Sequence, residues 1–300
     1  RMAPNWSGAF PEEIAEKVGR SDVNIRTNSL GLRSAELIQP KPDDLFRIVV
    51  LGDSVTFGWG VRSEDTYVGQ LAGLLAALHP GQRYEVVNAG VSGYGTWQEA
   101  LWLEEQAAAL QPNLIIVQAH LNDAADNLWG TYGQTAAEPS ALAQKSALVR
   151  LIQLVLLAQR GGGTGSGSCA NDWNEGGRRV CWDATMALLD DIQATATAFG
   201  ARTALMPMPM RWQVEPGVTD PRTWVDVTRY QDELAKYARR QGWQFVDPLP
   251  AFQNAAKGAA PALAAEGGSL FLDVGHPNEA GHRLLAEELY RNLNQAGLLP

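Results

Sequence analysis

Arg47-Ile48-Val49-Val50-Leu51-Gly52-Asp53-Ser54-Val55-Thr56-Phe57-Gly58 decides the fold class. Its first half is an apolar run rich in β-branched residues, the pattern of a strand buried on both faces of a parallel sheet. The run stops at Gly52-Asp53-Ser54, and a helical pattern resumes near Glu64. Ser54 is therefore expected where a strand ends and a turn begins. That is the carboxyl edge of the sheet, where open α/β folds place their ligands. Taken alone, so short a motif reads first as an ordinary turn serine.

Downstream, Val68, Leu71, Leu75 and Leu78 line one helix face, which His79-Pro80-Gly81 ends. Strands are expected at 84–87, 114–117, 202–206 and 243–246. Ala100, Leu103, Ala107 and Leu110 share a second helix face, and Val227, Tyr230, Leu234 and Tyr237 another. Further helices are expected at 140–159, 182–199 and 278–295, the last opened by Pro277 and Asn278. Strands alternating with helices in this way predict an α/β protein with a parallel, doubly wound sheet of five strands.

Upstream, residues 1–45 are polar and irregular, with a helix expected at 11–18 and a turn at Asn28-Ser29-Leu30-Gly31-Leu32-Arg33. They read as an N-terminal arm packed on the domain, with no catalytic case to be made from sequence. Residues 46–300 read as one domain with a Gly-rich insertion at about 160–181. The tract Gly161-Gly162-Gly163-Thr164-Gly165 follows a helix and matches neither a phosphate-binding loop nor a dinucleotide fingerprint. It reads as a flexible excursion.

Apolar residues at 45% and charged residues at 19% describe a globular chain of 300 residues, long enough for a sizeable core. The net charge of −9 argues against non-specific nucleic-acid binding. No apolar run approaches the ~20 residues that span a bilayer; 147–158 comes closest, and Arg150 and Gln153 interrupt it. The chain opens at Arg1 without a signal-peptide pattern, so a leader or anchor is expected to have been removed. Cys169 and Cys181 close a short loop. A disulfide there would stabilise by ~3 kcal/mol on the chain-entropy model and would place the protein outside the cytoplasm, periplasmic or secreted. Two unpaired thiols in a cytosolic enzyme are the alternative. Four histidines without H-E-x-x-H or C-x-x-C spacing give no metal-site signal, and no cofactor is expected.

Nucleophilic acyl transfer needs a hydroxyl, a base, a carboxylate that orients the base, and donors for the developing oxyanion. Ser54 supplies the hydroxyl. Leu272-Asp273-Val274-Gly275-His276-Pro277 supplies an acid and an imidazole three residues apart, just before the last helix. Asp273 can then accept from one imidazole nitrogen while the other faces Ser54. Donors are available from the Ser54 and Gly90 backbone N–H groups and the Asn122 amide, each just beyond one of the first three predicted strands.

These residues carry a resemblance. Gly52-Asp53-Ser54, Gly90 within Asn88-Ala89-Gly90-Val91-Ser92-Gly93, Asn122-Asp123 and Asp273-x-x-His276 resemble the four ordered blocks of the SGNH (GDSL-type) hydrolase superfamily over about residues 46–295. The resemblance implies a three-layer α/β/α sandwich around a mostly parallel sheet, and a serine esterase. It implies Ser54 as nucleophile, His276 as base and acid, Asp273 as its orienter, and Ser54, Gly90 and Asn122 as oxyanion donors. One position departs from the family, which usually has glycine two residues before the asparagine, where this chain has His120. A side chain there either points away from the oxyanion or narrows the site. The G-x-S-x-G elbow of the α/β-hydrolases is absent.

Trp59, Trp129 and Trp212 each follow a predicted strand and, with His120, are candidate substrate contacts; packing is the plainer role for each. The expected substrate is a small-molecule or polysaccharide ester carrying acetyl or another short acyl group. Alternatives are an O-acyltransferase using the same acyl-enzyme, a lipid-ester or thioester hydrolase favoured by the apolar stretch 148–157, and a catalytically silent glycan-binding module.

Overall fold

The computed structural model describes residues 2–10, 23–121, 123, 172–175, 178–181, 183–215, 217–218, 229–258 and 269–300. The helices expected at 11–18 and 140–159 and the glycine tract therefore lie outside the described residues.

The chain begins with a hairpin of β1 (Ser7–Ala9) and β2 (Asn24–Arg26), paired antiparallel. β3 (Leu45–Leu51) follows, then the single helical turn α1 (Ser54–Phe57) and α2 (Tyr67–Leu78). β4 (Arg83–Asn88), α3 (Thr96–Leu110) and β5 (Leu114–Ala119) complete the first half. In the insertion, β6 (Asp172–Glu175) and β7 (Arg178–Cys181) pair antiparallel, so this part of the expected loop is a hairpin. α4 (Asp183–Ala198), β8 (Arg202–Pro207), α5 (Arg211–Val214), α6 (Arg229–Gln241), β9 (Gln244–Phe245), α7 (Leu249–Gly258) and α8 (Glu279–Gln295) follow.

The central sheet runs β4-β3-β5-β8-β9, and all four pairings are parallel. β3 is an interior strand covered on both faces, so Ile48, Val49, Val50 and Leu51 are wholly buried, which is why the run shows no polar alternation. Its side chains still alternate between faces. Val49 and Leu51 join one core with Leu103 and Leu110 of α3, Leu189 and Ile192 of α4, and Leu234 and Tyr237 of α6. Ile48 and Val50 join the other with Leu71 and Leu75 of α2, Phe252 of α7, and Leu285 and Leu289 of α8. Helices cover both faces, giving the three layers of an α/β/α sandwich.

The strand order reverses at β3, whose neighbours are the strand that follows it, β4, and the next, β5. A crevice opens at the carboxyl ends of strands whose connections leave in opposite directions, and ligands of open α/β sheets bind in it. Gly52-Asp53-Ser54 leaves β3 there, and Ala119-His120 leaves β5 beside it.

Candidate active site

The seat of Ser54 is a single helical turn held from below. Asp53 caps it, its Oδ1 accepting the Val55 N–H at 2.9 Å. Gly58, at φ 86°, ends it with its N–H on the Ser54 carbonyl at 3.0 Å. The hub beneath is Thr56, fully buried. Its Oγ1 donates to Gln118 Oε1 at 2.9 Å. Having spent its one proton there, it accepts from the Tyr67 hydroxyl at 2.6 Å.

Two glycines let the turn sit this low. A Cβ on Gly52 would stand 2.0 Å from Thr56 Oγ1, and one on Gly90 would stand 2.3 Å from the Phe57 nitrogen and 2.6 Å from the Thr56 carbonyl carbon. The glycines of the first two motif blocks thus have a steric reason to be glycine.

Ser54 and His276, 222 positions apart, meet with Oγ 2.8 Å from Nε2. The other ring nitrogen, Nδ1, lies 2.9 Å from Asp273 Oδ2 and 3.0 Å from Oδ1. Asp273 Oδ1 also accepts the backbone N–H groups of Gly275 at 2.9 Å and His276 at 2.8 Å, which fixes the loop. Burial alone would push the Asp273 carboxyl up. The hydrogen bond and charge of His276, with the two N–H groups, outweigh it and hold the carboxyl well below the usual carboxylate range. An ionised Asp273 only accepts, so Nδ1 carries the imidazole proton and Nε2 is left to accept from Ser54.

The remaining sequence-predicted residues divide. Gly90 stands against the seat, its N–H donating to Asn88 Oδ1 at 3.0 Å, and Asn88 Nδ2 donates to the Thr56 carbonyl at 2.7 Å. Trp59 packs on His276, ring centroids 4.5 Å apart. His120 is wedged between Asp53, 3.8 Å from Nδ1 to Oδ2, and the loop that carries Asp273 and His276, where its Nε2 would be 3.1 Å from a Cβ on Gly275. Its N–H donates to Asp123 Oδ2 at 2.8 Å. Trp212 packs, half-buried, against the α3–α4–α6 core. Asn122, Trp129 and Cys169 lie outside the described residues, as does any pairing of Cys169 with Cys181.

Sequence reasoning did not reach the Thr56–Gln118–Tyr67 support, because each partner comes from a different element. Nor did it reach the packing of Trp59 on the His276 ring. Among the described residues no group of three or more His, Cys, Asp or Glu could hold a metal ion. No described helix is long and apolar enough to cross a membrane.

The sequence profile of the GDSL-like Lipase/Acylhydrolase family matches residues 50–284, most of the chain. No curated protein sequence matches significantly. Solved structures do. One is an alpha/beta hydrolase from the metagenome of Lake Arreo, Spain, at 20% identity and TM-score 0.53, covering 83% of this chain and 95% of its own. An acetyl xylan esterase matches at 15% identity and TM-score 0.52, covering 82% and 98%. An acetylxylan esterase from Geobacillus stearothermophilus matches at 21% identity and TM-score 0.51, covering 83% and 94%. Such identities speak for a shared fold. With the profile match spanning the serine, glycine and Asp-x-x-His blocks, the chain belongs to the GDSL-like Lipase/Acylhydrolase family and is a carboxylic ester hydrolase.

Proposed function

We propose that the protein removes acetyl or other short acyl groups from a carbohydrate hydroxyl, through a Ser54–His276–Asp273 acyl-enzyme. The observation that carries this is the 2.8 Å contact between Ser54 Oγ and His276 Nε2, with Asp273 on the opposite ring nitrogen.

In this reading His276 takes the Ser54 proton as Oγ attacks the ester carbonyl, and Asp273 stabilises the imidazolium that forms. The oxyanion develops beside the Ser54 and Gly90 N–H groups. Gly90 must then share or release its hydrogen bond to Asn88. His276 returns its proton to the leaving alcohol, and water repeats the sequence to free the acid.

Trp59 supports a sugar-bearing substrate, because an indole beside the base offers a flat apolar face. Two of the solved structures are of acetylxylan esterases. Catalytic mutants of the Geobacillus enzyme replace a serine, an aspartate and a histidine, the last two spaced three positions apart as Asp273 and His276 are here.

The test is hydrolysis of p-nitrophenyl esters from acetate to palmitate, and acetate release from acetylated xylooligosaccharides, with Ser54→Ala in parallel. The expected result is a maximum at acetate and a loss of at least ~10³-fold in the variant. Activity rising towards palmitate would replace this reading with a lipase. Activity surviving in the variant would mean a different nucleophile.

A further inference from the structure

Arg33 is the one charged side chain among the described residues of the arm to be buried, at 3% exposure, and its hydrogen-bond partners are not carboxylates. Its Nη1 donates to the carbonyls of Phe57 at 3.0 Å and Gly58 at 2.6 Å. Nη2 donates to the Val61 carbonyl at 2.7 Å, and Nε to Ser63 Oγ at 3.2 Å. Four of the five guanidinium donors are thus committed to residues 57–63. The guanidinium also lies 5.1 Å from the Phe57 ring centroid. Burial lowers its pKa to about 10, which leaves it charged at neutral pH.

The turn that presents Arg33 is built for the purpose. Asn28, 3% exposed, accepts the N–H groups of Leu30 and Leu32 on Oδ1, each at 3.0 Å, and donates Nδ2 to the Ala35 carbonyl. Gly31 takes φ 75°, and a Cβ there would stand 2.3 Å from the Met2 carbonyl oxygen. Around it Phe10, Val23 and Ile25 bury themselves against Phe57, with Met2 and Trp59 at the margin.

The segment that Arg33 grips holds both partners of the reaction. The Ser54 carbonyl accepts N–H groups from Gly58 and Trp59, both at 3.0 Å. The Trp59 ring is the one packed on His276. We propose that Arg33 is a positioning residue: through residues 57–61 the N-terminal arm fixes the backbone that carries Ser54 and the indole that holds His276 in line with it. The inference rests on the Ser54–His276 reading of the site. Displacements of about 1 Å in such an arrangement cost rate on the order of 10²-fold.

The test uses the full chain with Arg33→Met, which keeps an apolar stem and removes every donor, and Arg33→Lys, which keeps the charge and removes the fork. Two readouts are compared with wild type. The first is the ¹H NMR signal of the His276 ring, assigned by its loss in His276→Asn. Stacking under Trp59 shifts it upfield, and with four histidines in the chain it can be followed singly. The second is turnover of p-nitrophenyl acetate per active site, counted from the burst amplitude.

The expected result for Arg33→Met is a His276 signal moved downfield while that of His79 stays, a full burst, kcat lower by ~10²-fold and KM changed by less than about 3-fold, with Arg33→Lys intermediate. If Arg33→Met does not fold, Arg33→Lys decides alone by the same criteria. An unmoved His276 signal with wild-type turnover per site overturns the proposal. So does a reduced burst with wild-type turnover on the remaining sites, which would make the arm a contributor to stability only. The NMR readout needs no ester turnover. A wild type inert towards esters therefore removes the functional reading while the positioning is still read from the ring shift.

Discussion

At the residue scale, the orienting carboxylate is the sharpest probe of the proposed chemistry. Asp273→Asn keeps an oxygen for the N–H groups of Gly275 and His276, so the loop is expected to hold. The amide nitrogen then faces His276 Nδ1 and favours the tautomer protonated on Nε2, which cannot accept the Ser54 proton. Loss of ~10³–10⁴-fold in kcat is expected, with little change in KM and a lower melting temperature as the carboxylate's contribution to stability is lost, measured by steady-state kinetics beside a melting curve. Unchanged kcat would remove Asp273 from the machinery. The grouping of Ser54, Asp273 and His276 was legible in sequence because acyl-transfer chemistry restricts residue type and the chain keeps Asp273 and His276 three positions apart. Trp59 was legible only as a tryptophan after a strand. Its place on the imidazole depends on Phe57, Arg33 and the arm, contacts that no local pattern encodes.

At the scale of elements, two glycines separate a functional from a merely local role. Gly90 lies against the backbone of α1, and the atoms a Cβ would strike, Phe57 N and the Thr56 carbonyl carbon, have no rotamer by which to move away. Gly90→Ala is therefore expected to lift the turn that carries Ser54, cost ~10²-fold or more in kcat, and lower the melting temperature. Gly73, exposed in the interior of α2, has nothing within 4 Å of a Cβ. Gly73→Ala is expected to stabilise by ~0.5–1 kcal/mol and to leave kcat unchanged. Denaturant titrations with kinetics on both variants check the pair, and equal behaviour would contradict the steric account. The long elements were legible because apolar spacing reports buried faces directly, as Val68, Leu71 and Leu75 do for α2. β1 and β2, of three residues each, were not: neither has room for a period, and they exist because Phe10, Val23 and Ile25 find Phe57. α7 also escaped, being only ten residues long and set by its packing of Phe252 on Phe271.

At the scale of the whole molecule, the site joins the start of the domain to its end, and α8 packing on α2 makes that junction. His282 of α8 is fully buried there, accepting the Tyr67 N–H on Nδ1 at 3.1 Å and stacked on the Tyr67 ring, while its Nε2 finds no partner among the described residues. Burial, with the charges of Arg33 and His276 adding, pushes its pKa down to about 3. In the unfolded chain a histidine titrates near ~6.5. Between those two values the unfolded state binds the extra proton, so stability falls as the pH falls, by up to ~1.4 kcal/mol per pH unit. Asp273 acts in a separate window: its lowered carboxyl contributes stability above the unfolded value near ~3.9 and loses it only below. Urea denaturation at pH 7 and at pH 4.5 brackets the histidine's window, in which Glu99, whose carboxyl is pushed up by burial, works in the opposite sense; the histidine's own share is expected to be about 2–3 kcal/mol. His282→Asn keeps an acceptor for the Tyr67 N–H and cannot titrate, so its difference between the two pH values should be smaller by that amount. If wild type and variant lose stability in parallel, the junction of α2 and α8 is not where the molecule senses acid. If the variant alone holds its stability at pH 4.5, protonating one buried ring is what parts the helices that bring Ser54 and His276 together.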